Sequence, residues 1–113
     1  MKLNPEIILE LIITELGLKF EKEFRFSHRM FRFDYRIYDP DNESLKLGCE
    51  IEGGVWTGNS RHTRGQGYSN DCTKYNIASV LGWTVLRYTT QQIQKDPQQI
   101  VKDLKFVKER NKI

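Results

Sequence analysis

The spacing of apolar residues changes character along this chain, and each change predicts an element. Asn4-Pro5 opens a helix, with Asn4 as cap and Pro5 suited to its first position. The helix should run to about Leu16 and stop at Gly17. At about 100° per residue, Ile7, Ile8, Leu9, Leu11, Ile12, Ile13 and Leu16 form one wide apolar arc, with Glu6, Glu10 and Thr14 sharing the polar side. Glu15 projects between Leu11 and Ile8, inside that arc, where an unpartnered carboxylate is costly. Either it has a partner, or it snorkels out at the helix end.

Helical spacing then gives way to alternation. Glu21, Glu23 and Arg25 interleave with Lys22, Phe24 and Phe26, which suggests an outer strand. From Phe31 to Tyr38, Phe31, Phe33, Tyr35 and Ile37 should face one way, and Arg32, Asp34, Arg36 and Tyr38 the other. Asp39-Pro40-Asp41-Asn42 is a turn. A third strand spans about Leu45 to Glu52, with Leu45, Leu47, Cys49 and Ile51 opposite Lys46, Gly48, Glu50 and Glu52.

Residues 53–68 read as a loop with five glycines and the basic cluster Arg61, His62 and Arg64. Ser69 can cap a helix from about Asn70 to Leu81, ended by Gly82, and Trp83 to Tyr88 is a mostly apolar strand. Asp96-Pro97-Gln98-Gln99 starts a last helix that buries Ile100, Val101, Leu104 and Val107. The order α-β-β-β-α-β-α implies an α/β fold: an antiparallel meander, a helical crossover to a fourth strand, and a mixed sheet with helices packed on it.

A chain of 113 residues fits one domain, 1–113, and can bury a core unaided. The net charge of +3 is compatible with a polyanionic partner without requiring one. Cys49 and Cys72 form no zinc spacing and read as reduced thiols. No apolar run is long enough to span a bilayer. The segment Ile7 to Leu16 lacks the basic flank and cleavage site of a signal peptide, so a cytoplasmic protein with no membrane partner is expected.

The chemistry concentrates in carboxylates. Alternation puts Glu50 and Glu52 on one face of their strand, and Asp34 lies beside them if the two strands pair through the 40–43 turn. Three carboxylates on adjacent strands repel one another unless a cation sits between them. Hard oxygen ligands with open positions suit magnesium or manganese. The bland alternative is a solvated acidic face.

With those residues in view, the chain resembles the PD-(D/E)XK nuclease superfamily, and within it the very-short-patch-repair endonuclease-like branch. The resemblance covers nearly the whole chain. It is carried by Phe33-Asp34, by Glu50-Ile51-Glu52-Gly53, by Asp71 and Lys74, and most specifically by Leu81-Gly82-Trp83-Thr84-Val85-Leu86-Arg87-Tyr88. It implies a restriction-endonuclease-like αβββαβ core with an extra C-terminal helix, and a magnesium-dependent endodeoxyribonuclease in which manganese can substitute. Two positions depart from the pattern: Phe33 stands where a proline is usual, and Glu52 where the motif lysine is usual. Lys74 is then a candidate migrated lysine. The general base stays open among Glu52, Lys74 and His62. The family's acid on the first helix corresponds to Glu15, with Glu10 as the alternative.

The expected metal ligands are therefore Asp34, Glu50, Glu52 and Glu15, and the expected catalytic residues Asp34, Glu50, Glu52, Lys74 and His62. His62 either serves the phosphate or is a surface histidine. Asp71 and Lys74, three apart, otherwise read as a surface ion pair. Arg61, Arg64, Arg32 and Arg36 are expected phosphate contacts. Trp56 and Tyr68 either stack on bases or anchor the loop. DNA is the expected partner, cut in a structure-selective or nicking manner, and a homodimer would allow paired cuts. The rival expectation is a nucleic-acid-binding module that kept the fold and lost catalysis, which Glu52 permits.

Overall fold

The computed structural model describes residues 3–53 and 65–112. Its elements are α1 (Pro5–Glu15), β1 (Lys19–Arg25), β2 (Arg32–Asp39), β3 (Asn42–Glu52), α2 (Gly65–Val80), β4 (Thr84–Thr89), α3 (Thr90–Lys95) and α4 (Pro97–Arg110). The four strands form one sheet in the order β1-β2-β3-β4. β1, β2 and β3 pair antiparallel, and β4 joins β3 in parallel after the α2 crossover. The fold is thus α/β with a mixed sheet flanked by helices.

Local chemistry sets the helix ends. The Asn4 side chain accepts from the Glu6 N–H at 2.7 Å, satisfying one free donor of the first turn of α1. At the other end Gly17 takes φ +74°, and the Leu18 N–H returns to the Ile13 carbonyl. α2 ends in the same way: Gly82 has φ +87° and the Trp83 N–H bonds the Ala78 carbonyl. Both turns need a left-handed residue, which glycine adopts without strain.

Two expectations about helices are corrected. α2 starts at Gly65, so Ser69 lies inside it, and its carbonyl accepts from the Thr73 hydroxyl rather than opening the helix. α3 is an additional short helix. The Thr89 side chain accepts from the Gln92 N–H while the Gln92 side chain bonds the Thr89 N–H, a reciprocal cap.

Helices cover both sides of the sheet. Leu9, Ile12 and Ile13 of α1, Ile93 of α3 and Ile100, Leu104 and Val107 of α4 pack with Tyr35, Ile37, Leu45, Leu47 and Cys49 in the main core. A second core joins Phe26, Phe33 and Ala78, with Phe24, Trp83 and Ile77 against it. Phe33 and Tyr35 therefore belong to different cores, although simple alternation puts them on one face. β1 behaves alike: Phe20 meets Tyr35 edge-on at 5.5 Å, while Phe24 packs against the second core, 5.7 Å from the Trp83 ring. The β1–β2 pairing runs through Lys22 with Tyr35 and Phe24 with Phe33, skipping Glu23 and Asp34 between them. Glu23 has φ +54°, a left-handed conformation rare in a strand. This irregularity lets the two strands change faces, and Asp34 sits at it.

Candidate functional site

Asp34 occupies a place where main-chain pairing is replaced by side chains. β2 and β3 pair in register at Tyr35 with Cys49. Just beyond, the Asp34 N–H donates to Glu50 Oε2 at 3.1 Å, and the Ile51 N–H donates to Asp34 Oδ2 at 2.8 Å. Each carboxylate thus takes an N–H from the other's strand. The crossed pair holds Asp34 and Glu50 together at one end of the sheet.

Glu50 is only 5% exposed. A buried carboxylate needs donors, and α2 supplies two. Lys74 Nζ and the Tyr75 hydroxyl both reach Glu50 Oε1 at 2.5 Å. Lys74 is itself largely buried and its partner is Glu50, which replaces the surface pair with Asp71 that i,i+3 spacing allows. Burial, aided by the Glu50 carboxylate beside it, pushes the Tyr75 phenol well above its ordinary range, so it remains a donor. Glu52 lies nearer solvent and is held by Arg87, whose Nε and Nη2 approach Glu52 Oε1 at 2.6 and 2.5 Å. The Arg87 guanidinium also lies over the Tyr75 ring at 4.4 Å.

A cleft of about 340 Å³ opens beside Asp34, lined by Asn4, Glu6, Glu23, Tyr35, Ile51 and Thr90 among others. The acid that α1 brings to it is Glu6. Glu10, the alternative to Glu15, accepts from the Tyr35 hydroxyl at 2.5 Å, and Lys22 reaches Glu6 at 3.0 Å and Glu10 at 3.4 Å. Glu15 is a correction: it is exposed in the last turn of α1 and does not line the cleft. Nine residues separate it from Glu6, about 13 Å along a helix axis. The apolar arc misled because Ile7 and Leu11, which define one side of it, are themselves exposed at 49% and 53%. The buried side is centred on Leu9, Ile12 and Ile13.

The expected basic residues divide. Arg32 is exposed at the start of β2, paired across with Arg25. Arg36 is engaged instead: it forms an ion pair with Glu21 and lies over the Tyr38 ring at 4.6 Å. Tyr68 is 57% exposed within α2. Trp56, Arg61, His62 and Arg64 lie outside the described residues.

Burial raises the Asp34 carboxyl above its ordinary value. The charges of Glu50 and Glu23 add to it, and the Ile51 N–H and Lys74 oppose it. A cation beside Asp34 would relieve that unfavourable field. Among the described residues, however, no three His, Cys, Asp or Glu side chains are grouped as a ready-made metal site. Asp34 and Glu50 come together, while Glu52 is turned to Arg87.

Sequence reasoning missed Tyr75, Glu6 and Glu23. Arg87, which the sequence offers as a structural residue or a phosphate contact, is set beside Glu50 by the parallel register of β3 with β4. Tyr75 had no signal beyond its place next to Lys74. No helix among the described residues is long and apolar enough to cross a membrane. No protein-family model, curated protein or solved structure matches this chain.

Proposed function

We propose that this protein is a magnesium-dependent endodeoxyribonuclease that hydrolyses phosphodiester bonds, with a restriction-endonuclease-like core of the PD-(D/E)XK type. The observation that carries the reading is the crossed Asp34–Glu50 pair with the Lys74 ammonium against Glu50, Asp34 itself lining an open cleft. Magnesium is commonly held by one or two carboxylates, with water and substrate phosphate completing its shell, so two converging acids are a fitting donor set. Asp34 and Glu50 would hold the ion. When bound, it supplies Lewis acidity and charge neutralisation at the phosphate.

The chain's own groups supply the rest. Asp34 Oδ2 and Glu50 Oε2 each accept one N–H and so keep a lone pair for the ion. Lys74 is a mobile point charge whose ammonium can turn from Glu50 to a phosphate oxygen or to the attacking water. Arg87 holds Glu52 by Oε1, which leaves Glu52 Oε2 to serve as a further ligand or as base. Arg32 contributes to backbone attraction, and Arg61, Arg64 and His62 are assigned the same task from sequence. Homodimerisation would permit paired cuts.

One observation favours a second reading, a nucleic-acid-binding module without catalysis. Glu50 and Glu52 are already neutralised by Lys74 and Arg87, so neither needs a metal for charge balance. Incubation with supercoiled, linear, single-stranded and branched DNA, with and without magnesium or manganese, separates the two. Metal-dependent cutting that is lost in Asp34→Asn and Glu50→Gln, with DNA binding retained in calcium, supports the nuclease. DNA binding without manganese binding or cutting supports the module.

A further inference from the structure

Glu50 is a buried carboxylate whose three donors are shared unevenly between its two oxygens. A carboxylate offers about four lone-pair sites, two on each oxygen. Oε1 receives both Lys74 and Tyr75, and Oε2 receives the Asp34 N–H. Among the described residues, the lone-pair site left over is therefore on Oε2, the oxygen on the Asp34 side. Lys74 and Tyr75 differ in how firmly they hold Oε1. The lysine stem is flexible and its ammonium can leave for a phosphate. The Tyr75 hydroxyl sits on a rigid ring, capped by the Arg87 guanidinium at 4.4 Å, and Arg87 is anchored in turn on Glu52. When Lys74 turns to substrate, Tyr75 is the group that keeps Oε1 occupied.

We propose that Tyr75 is a positioning residue that confines cation binding by Glu50 to Oε2, and so favours a small ion of strict geometry over a larger one. This rests on the nuclease reading above. Magnesium demands a near-octahedral shell, whereas calcium accepts carboxylates through one oxygen or both. With Oε1 blocked, Glu50 offers one oxygen and suits the first kind of ion. With Oε1 released, it offers two and suits the second. Arg87 acts through Tyr75 by fixing the ring.

The test uses the full chain and the Tyr75→Phe variant, which keeps the half-buried ring and its stack while removing the hydroxyl. Metal-free protein is titrated calorimetrically with manganese and, separately, with calcium, both chains carrying Lys74→Met so that Tyr75 is the remaining side-chain donor to Oε1 among the described residues. Nicking of supercoiled DNA is measured in magnesium. A hydrogen bond to a charged group is worth about ten-fold in an equilibrium. The calcium-to-manganese affinity ratio is therefore expected to rise by up to about ten-fold in Tyr75→Phe, with nicking reduced by a similar factor. The variant should still melt in one cooperative transition, at a midpoint lower by several degrees, which separates the effect from a loss of fold. A wild-type chain that binds manganese and nicks DNA, beside a variant with the same ratio and rate, overturns the role of Tyr75 alone. A wild-type chain that binds neither ion and leaves every DNA intact overturns the nuclease reading, and this inference with it.

Discussion

Replacing Gly48 by alanine probes the packing that supports Asp34. A Cβ at residue 48 falls 2.6, 2.7 and 2.8 Å from three atoms of the Phe33 ring, well inside contact distance. Phe33 is fully buried, stacked on Phe26 at 4.0 Å and edged by Trp83 at 5.2 Å, so the ring has no free side to move toward. Overpacking of this kind costs about 1–3 kcal/mol. Against it, alanine narrows the unfolded ensemble and returns about 0.4–1 kcal/mol. Because all three close atoms belong to one confined ring, a net loss of about 1–2 kcal/mol is expected. For a domain near this size that lowers Tm by about 4–8 °C per kcal/mol, so on the order of 10 °C. Thermal and urea melts followed by circular dichroism measure it. Adding Phe33→Leu to Gly48→Ala should recover part of the loss, since it removes the ring the methyl strikes. A Tm equal to or above the parent's, or strictly additive losses in the double variant, would refute the clash.

Two further outcomes follow from the titratable groups and thiols. In chelator, the folded chain holds the Asp34 proton more tightly than the unfolded chain, so this group's contribution to stability falls as pH rises from its ordinary 3.8 through its raised folded value. Asp34→Asn lacks that contribution, so urea melts between acid and neutral pH should show the variant gaining on the parent as pH rises, and parallel curves would contradict the field drawn around Asp34. Cys72 is exposed and Cys49 buried, with burial pushing the Cys49 thiol well up. A disulfide reagent should therefore label one thiol per folded chain quickly and the second only in denaturant.

Much of the architecture was legible because local signals and spacing agreed. Asn4-Pro5 and Gly17 bracket α1, and Pro40-Asp41 joins β2 to β3 with Asp39 opposite Asn42. The pairing of Asp34 with Glu50 followed from that turn. Errors came where one sequence pattern fits two structures. The apolar arc of α1 is too wide to reveal its centre, so the pattern turns Glu15 inward whereas Glu6 is the acid that reaches the cleft. Alternation from Phe31 to Ile37 could not reveal the change of face at Asp34, because that depends on the backbone of Glu23 in a neighbouring strand. Ser69 resembled a cap, but α2 continues through it. Thr89 with Gln92 has the same capping form as Asp96 with Gln99, but a strand runs directly into it and hides the helix start. The Tyr75–Arg87 stack joins residues from a helix and a strand, which no spacing rule connects.

The kink at Glu23 has a consequence for the outer rim of the sheet. Among the described residues no strand lies beyond β1, and an exposed rim with free N–H and carbonyl groups invites another chain to dock and propagate. β1 discourages this in two ways. Lys19, Glu21, Lys22, Glu23 and Arg25 load its short length with charge of both signs, and the left-handed turn at Glu23 breaks the straight row of hydrogen-bonding groups. An incoming strand would have to bury those charges and mirror the break. The distortion that frees Asp34 from the ladder thereby also guards the molecule against edge-to-edge aggregation.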